Sequence, residues 1–154
     1  MEEKYSFFQY LFNDDIYVIH APKKTETAVF KGIIFFVDYP GIATLPTKEK
    51  LFLDKIIEAV KLRLVQVTIV NIPELMKRLS SRALIRFDNA KVIFFTGKIP
   101  NLAKHIEIKN KYEINTLGNS EFILADVLES VDQDREQKKN LWNALQRLFP
   151  QPQL

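Results

Sequence analysis

Residues 32 to 37, Gly-Ile-Ile-Phe-Phe-Val, place an apolar side chain on both sides of an extended chain. Successive side chains of a strand point to opposite faces, so such a run is stable where both faces are covered, as in a parallel strand between layers of helices. The run breaks at Asp38-Tyr39-Pro40-Gly41, and apolar residues then return with helical spacing. From Lys48 to Lys61, behind Thr47 as N-cap, Phe52, Leu53, Ile56, Ile57 and Val60 form one broad stripe. This is a strand, a loop and a helix in sequence.

The unit recurs. Residues 65 to 70 are β-branched and strand-like, Asn71 can cap, Pro73 suits a first helical turn, and Leu75, Met76 and Leu79 continue a helix. Residues 91 to 97 read as a third strand ending at Gly97, and residues 121 to 125 as a fourth. The last helix starts near Asp134, with Gln137 as capping-box partner, and carries Leu141, Trp142, Leu145, Leu148 and Phe149 on one face before Pro150 stops it. Ahead of these units, Tyr5, Phe8, Leu11 and Phe12 suit a short helix over residues 4 to 12. Residues 15 to 20 alternate like an edge strand, and residues 21 to 27 form a polar loop. The expected fold is therefore α/β: a three-layer α/β/α sandwich around a mostly parallel central sheet of about four strands, plus a short N-terminal helix and edge strand. One domain spans 1–154, with its core at 32–149, N-terminal additions at 1–31 and a tail at 150–154.

Composition agrees with a packed domain, since 154 residues with 47% apolar side chains and twelve Phe can bury a sizeable core. Cysteine is absent, which removes disulfides and thiolate-held zinc or iron–sulfur clusters and suits a reducing, cytoplasmic setting. The first fifteen residues lack the pattern of a signal peptide, and no run is long enough for a membrane span. The net charge of +3 is concentrated in residues 21–125, a field that favours anionic partners including nucleic acid. Asp and Glu are interleaved there, so a plain solvated surface is the competing reading.

In parallel sheets, ligands bind beyond the carboxyl ends of the strands, which directs attention to loops 38–46, 71–73, 97–101 and 125–132. The four Gly form no dinucleotide or P-loop signature. His20 and His105 have no further ligand at metal-binding spacing, and Ser80, Ser81, Ser120 and Ser130 lack a nucleophile elbow, so neither cofactor nor metal is expected. The remaining polar set at the strand tips is Asp38, Asn71 and Asp126, with Tyr39 nearby. A carboxylate beside an amide can orient water or read a base edge. Equally, Asp38 can begin a turn with Pro40 and Gly41, and Asn71 can cap a helix.

Taken in order, these pieces resemble the uracil-DNA glycosylase superfamily over about residues 33 to 148. Val37-Asp38-Tyr39-Pro40-Gly41 is similar to its G-E-x-P-G motif, with Asp38 in place of Glu. Val67-Thr68-Ile69-Val70-Asn71 ends where the family places a base-reading Asn, and the third strand runs into Gly97. Leu128, Lys138 and Trp142 match the family's last helix. The resemblance implies a glycosylase-like sheet with a binding rim made by Asp38, Tyr39, Pro40, Gly41, Asn71, Gly97 and Asp126, and Asp38 as the catalytic candidate. Three departures bear on activity. The catalytic His is replaced within Leu124-Ala125-Asp126, no aromatic residue follows the first motif in residues 42 to 47, and the cluster cysteines are missing. A carboxylate near the lost His would repel a developing base anion. In size, architecture and last helix the chain also resembles the psi subunits of bacterial DNA polymerase III, glycosylase-like domains that connect proteins and do not catalyse. The expected function is a non-catalytic binding or adaptor module in DNA replication or repair, with a protein partner, possible nucleic-acid contact through residues 21–125 and no membrane role. The alternative is a divergent DNA glycosylase or related hydrolase using Asp38 and Asn71.

Overall fold

The computed structural model describes residues 25–41, 45–63 and 66–150. In chain order it contains β1 (Thr25–Val37), α1 (Thr47–Ala59), β2 (Val67–Asn71), α2 (Ile72–Met76), β3 (Leu79–Phe95), a 3-10 turn (Asn101–Ala103), β4 (Asn115–Leu117), β5 (Ser120–Ala125), α3 (Leu128–Gln133) and α4 (Arg135–Leu148). The strands form one sheet in the order β2-β1-β3-β5-β4. Every pairing is parallel except that of β4 with β5. The α/β class and the mostly parallel sheet therefore stand as expected.

Side-chain alternation sorts the core into two layers. On one face, Phe35 and Val37 of β1, Ile93 and Phe95 of β3, and Ile123 and Ala125 of β5 pack under α1, α3 and α4. The ends of these helices explain their lengths. Asp134 accepts the Gln137 N–H at 3.0 Å, opening α4. At its far end the Lys91 ammonium donates to the Leu148 carbonyl at 2.7 Å, satisfying one of the orphan acceptors there. Helix α1 closes in a Schellman motif: Lys61 has φ 64°, its N–H meets the Glu58 carbonyl at 3.0 Å, and the Leu62 N–H meets that of Ile57 at 3.1 Å.

The other face has only α2 and the 3-10 turn as helical cover among the described residues, yet Phe36, Phe94 and Phe122 on it are fully buried. Part of the cover is the sheet itself. The rings of Phe30 and Phe36 lie 5.3 Å apart, although six residues of straight strand span about 20 Å. Phe87 likewise reaches Phe36, Phe94 and Phe122 at 6.1, 6.5 and 4.9 Å. The first halves of β1 and β3 must therefore fold back over the second halves. The corner lies where the β1–β3 register slips, between the pairs Lys31↔Asp88 and Gly32↔Ala90. Gly32 takes φ 81°, which costs glycine nothing, and the extra residue Asn89 takes φ 52°, a region Asn tolerates. The inserted Asn89 also resets the alternation, so Ile85 and Phe87 share a face with Ala90, Val92 and Phe94.

The β4–β5 hairpin fastens this corner. Leu117 pairs with Ser120 across a two-residue loop whose first member, Gly118, has φ 62°, the conformation such loops require. Beyond the loop, Asn119 accepts the Asn89 N–H at 2.8 Å and donates to Asp88 at 3.1 Å. Ser120, 1% exposed, accepts the Ala90 N–H at 3.0 Å.

Several boundaries differ from expectation. The sheet has five strands, the additional one being the short antiparallel β4. β1 begins at Thr25, inside the expected loop, and β3 begins at Leu79, where the second helix was extended; the helix has five residues. Pro46 takes the N-cap position of α1 in place of Thr47, and Asn71 stands at the N-cap of α2 without a side-chain capping bond. Trp142, assigned to the buried face of the last helix, is 40% exposed. The expected N-terminal helix and edge strand, with His20, lie outside the described residues.

Candidate functional site

The registers Val37↔Asn71, Val37↔Phe95 and Phe95↔Ala125 bring four carboxyl-terminal strand ends into one row. The chain reverses direction across the sheet between β1 and β3, the switch point at which such folds open a crevice. The sequence-derived candidates Asp38, Tyr39, Pro40, Gly41, Asn71, Gly97 and Asp126 all lie along this row.

They form two groups. In the first, the Asn71 side chain accepts the Tyr39 N–H at 2.8 Å and donates to the Tyr39 carbonyl at 2.9 Å. The amide thus behaves as one more backbone unit of β2, extending the ladder beyond the strand and fixing the turn at Pro40 and Gly41. One of its two N–H groups and one lone pair of its oxygen are thereby engaged by the loop. Asp38 is exposed, and among the described residues no hydrogen bond or ion pair holds it. The Tyr39 hydroxyl is pushed up to about 12 by burial and then by the negative charges of Glu49 and Glu129. Those two acids stand in the first turns of α1 and α3.

The second group centres on Asp126. Its carboxylate takes the Lys111 ammonium at 2.5 Å and the Tyr112 hydroxyl at 2.7 Å, and its own N–H donates back to that hydroxyl at 3.2 Å. Burial pushes this carboxyl up, and the bonds from Lys111 and Tyr112 more than offset it, leaving Asp126 below its ordinary range. The Tyr112 hydroxyl is raised, first by burial. Tyr112 has φ 65°, a strained conformation for a bulky residue. It is held from every side: its N–H meets the Leu124 carbonyl at 2.9 Å and its carbonyl accepts from Arg147 at 3.1 Å. Gly97 joins this group through its N–H, which donates to the Ala125 carbonyl at 2.9 Å.

Sequence reasoning missed Lys111, Tyr112 and Arg147. They lie 15, 14 and 35 residues from their partners, and no local pattern signals such pairs. Of the last-helix motif, Lys138 lies 3.7 Å from Asp132 and 5.8 Å above the Phe52 ring, joining α4 to α3 and α1.

The rim is acidic. Asp38, Glu49, Glu129 and Asp126 face a row that also carries the exposed cations Lys48, Lys98 and Arg147, while Lys111 is paired with Asp126. Within the basic region, Lys31, Lys50, Lys77, Lys91 and Lys111 each lie within 4 Å of a carboxylate. Among the described residues, no three His, Cys, Asp or Glu side chains are grouped to hold a metal ion, and no helix is long and apolar enough to cross a membrane. Comparisons with protein-family models, curated proteins and solved structures found no match to this chain, and its function must be argued from these residues.

Proposed function

We propose that the chain is a non-catalytic binding module, an adaptor whose partner is another protein. The resemblance to glycosylase-like domains makes replication and repair assemblies the first ones to test. One observation carries the reading: of the polar groups at the strand tips, Asn71 and Asp126 are engaged by the protein itself, which leaves the exposed Asp38 as a lone carboxylate. Asn71 closes two bonds on the Tyr39 backbone, and each oxygen of Asp126 already accepts a bond, one from Lys111 and one from Tyr112. A general base or base-reading amide needs an open lone pair or N–H at the substrate. The carboxylates Asp38 and Asp126 at the tips add support, because they oppose a developing base anion. A protein partner is preferred to nucleic acid because the cations of residues 21–125 are interleaved with carboxylates.

The test has two arms. Single-turnover assays at protein excess on oligonucleotides containing uracil, hypoxanthine or an abasic site should yield no product, with Asp38→Asn indistinguishable from the unmodified chain. Base release that disappears in Asp38→Asn refutes the non-catalytic reading. Cross-linking of the full chain in a cell lysate, followed by mass spectrometry, should recover replication or repair proteins. Recovery of metabolic enzymes alone refutes that assignment.

A further inference from the structure

We propose that the outer edge of β2, together with the flank of α1 above it, is a docking site for an extended basic segment of a partner protein, which adds to the sheet as a further strand. Three observations converge. First, β2 has a strand neighbour on one side only among the described residues, and its register with β1 from Ile33↔Val67 to Val37↔Asn71 is free of bulges. Open edges are normally guarded by charge, proline, a bulge or brevity. Val67-Thr68-Ile69-Val70-Asn71 has no charge and no proline, and it is β-branched at its first four positions. The opposite edge, β4, is guarded by its three-residue length. Thr68 and Ile69 are half-exposed.

Second, a cleft of about 270 Å3 opens on α1, lined by Asp54, Ile57, Glu58 and Leu62, of which Ile57 and Leu62 belong to the same apolar cluster as Val67 and Ile69 of β2. Helical spacing places Asp54 and Glu58 one turn apart on the flank of α1 directed away from Phe52, the residue that faces α4 through Lys138. The cleft thus lies on the β2 side of the helix, with an apolar floor and an acidic rim.

Third, that chemistry selects the occupant. An added strand directs alternate side chains, about 7 Å apart, toward the α1 face. Lys or Arg at those positions would lay their stems on Ile57 and Leu62 and bring their cations to Asp54 and Glu58. Asp54 already has Lys50 at 3.9 Å, but that pair is solvent-exposed and readily exchanged. A second copy is the poorer fit, because pairing β2 with itself about a two-fold axis turns the two acidic flanks toward each other.

The site is separate from the carboxyl-end loops, so this inference and the proposed function can fail independently. The probe is a fluorescein-labelled octapeptide of alternating lysine and valine, titrated into the full chain. The control replaces lysine by glutamate. The lysine peptide should bind at least about tenfold more tightly than the glutamate peptide and weaken as salt rises, and amides 67–71 should gain hydrogen-exchange protection on binding. The double variant Asp54→Lys/Glu58→Lys, altered at solvent-facing helix positions and checked for folding by circular dichroism, should reverse the preference. Failure of the lysine peptide to bind, equal binding of the two peptides, or binding unaffected by the double variant overturns the proposal. So does protection, in the free monomer, of those amides among 67–71 that point away from β1, which would mean that the chain closes its own edge, or protection of them that appears only with self-association.

Discussion

Replacing Asn71 by Ala separates a latch from a ligand reader. In the structure the amide makes two bonds, 2.8 and 2.9 Å long, to the Tyr39 backbone. Each such bond contributes a net of about 0.5–1.5 kcal/mol. Both residues are half-buried, so water reaches part of what is released, and the sum falls at about 1–2.5 kcal/mol. With a urea slope of about 1.5–2 kcal/mol/M for a domain of this size, the midpoint should drop by roughly 1 M. Asn71→Asp is the sharper variant. It retains an acceptor for the Tyr39 N–H but sets a carboxylate oxygen against the Tyr39 carbonyl, so it should lose at least as much as Ala and recover part of the loss on acidification. Urea unfolding followed by tryptophan fluorescence measures both, using the single Trp142. A residue kept for a ligand would behave oppositely, its removal leaving stability unchanged or raised. Asn71→Ala at or above the unmodified stability refutes the latch and reopens the base-reading role.

The corner at Asn89 should discriminate among substitutions by backbone alone: Asn89→Gly should be nearly neutral, while Asn89→Val should cost about 1–2 kcal/mol in denaturant unfolding because a β-branched residue resists positive φ. Deleting Asn89 should abolish cooperative unfolding, since it turns Phe87 and Ile85 off the aromatic layer. Lys61→Gly should stabilise by about 0.5–1 kcal/mol in the same assay, because glycine relieves the left-handed strain at the end of α1 with only part of that gain lost to unfolded-chain entropy. Asp126 contributes stability that is fully present above the ordinary carboxylate value of about 3.9 and lost as pH falls through its lower folded value; the acid limb of an unfolding profile should therefore flatten in Asp126→Asn. Tyr39 gives the alkaline counterpart, with stability lost as pH rises from about 10, where the unfolded hydroxyl ionises, toward its folded value of about 12, and Tyr39→Phe should remove that loss.

The sequence displays its parallel strands openly because burial on both faces leaves a one-dimensional trace, as at residues 32 to 37 and 91 to 95. The Asp134 cap with Gln137 was legible for the same reason: its physics is confined to one turn. The bend was not. Arg86 and Asp88 alternate with Ile85 and Phe87 as a strand should, but the spacing of Leu75 and Leu79 resembles a helix continued, and a single extra Asn changes no window average. Gly118-Asn119 was an available hairpin signal, hidden by a partner strand of only three residues. Tyr112 and Arg147 at the strand tips meet residues far along the chain, and only the folded register brings them there.

The corner and the latch bear on function together. A parallel sheet that covers part of one of its own faces needs less helix there, and among the described residues that face has only a five-residue helix and one 3-10 turn as helical cover. Three longer elements, α1, α3 and α4, collect on the other face. At the strand tips, the ties on Tyr39 and Asp126 hold the loops in place, a poor arrangement for gripping a reacting base. Along the side, a β-branched edge with one strand neighbour among the described residues lies by the helix flank that carries Asp54 and Glu58. Rigidity at the tips with an open backbone ladder at the side favours recognition by strand pairing over chemistry in the crevice, since strand addition needs a fixed edge and no catalytic group.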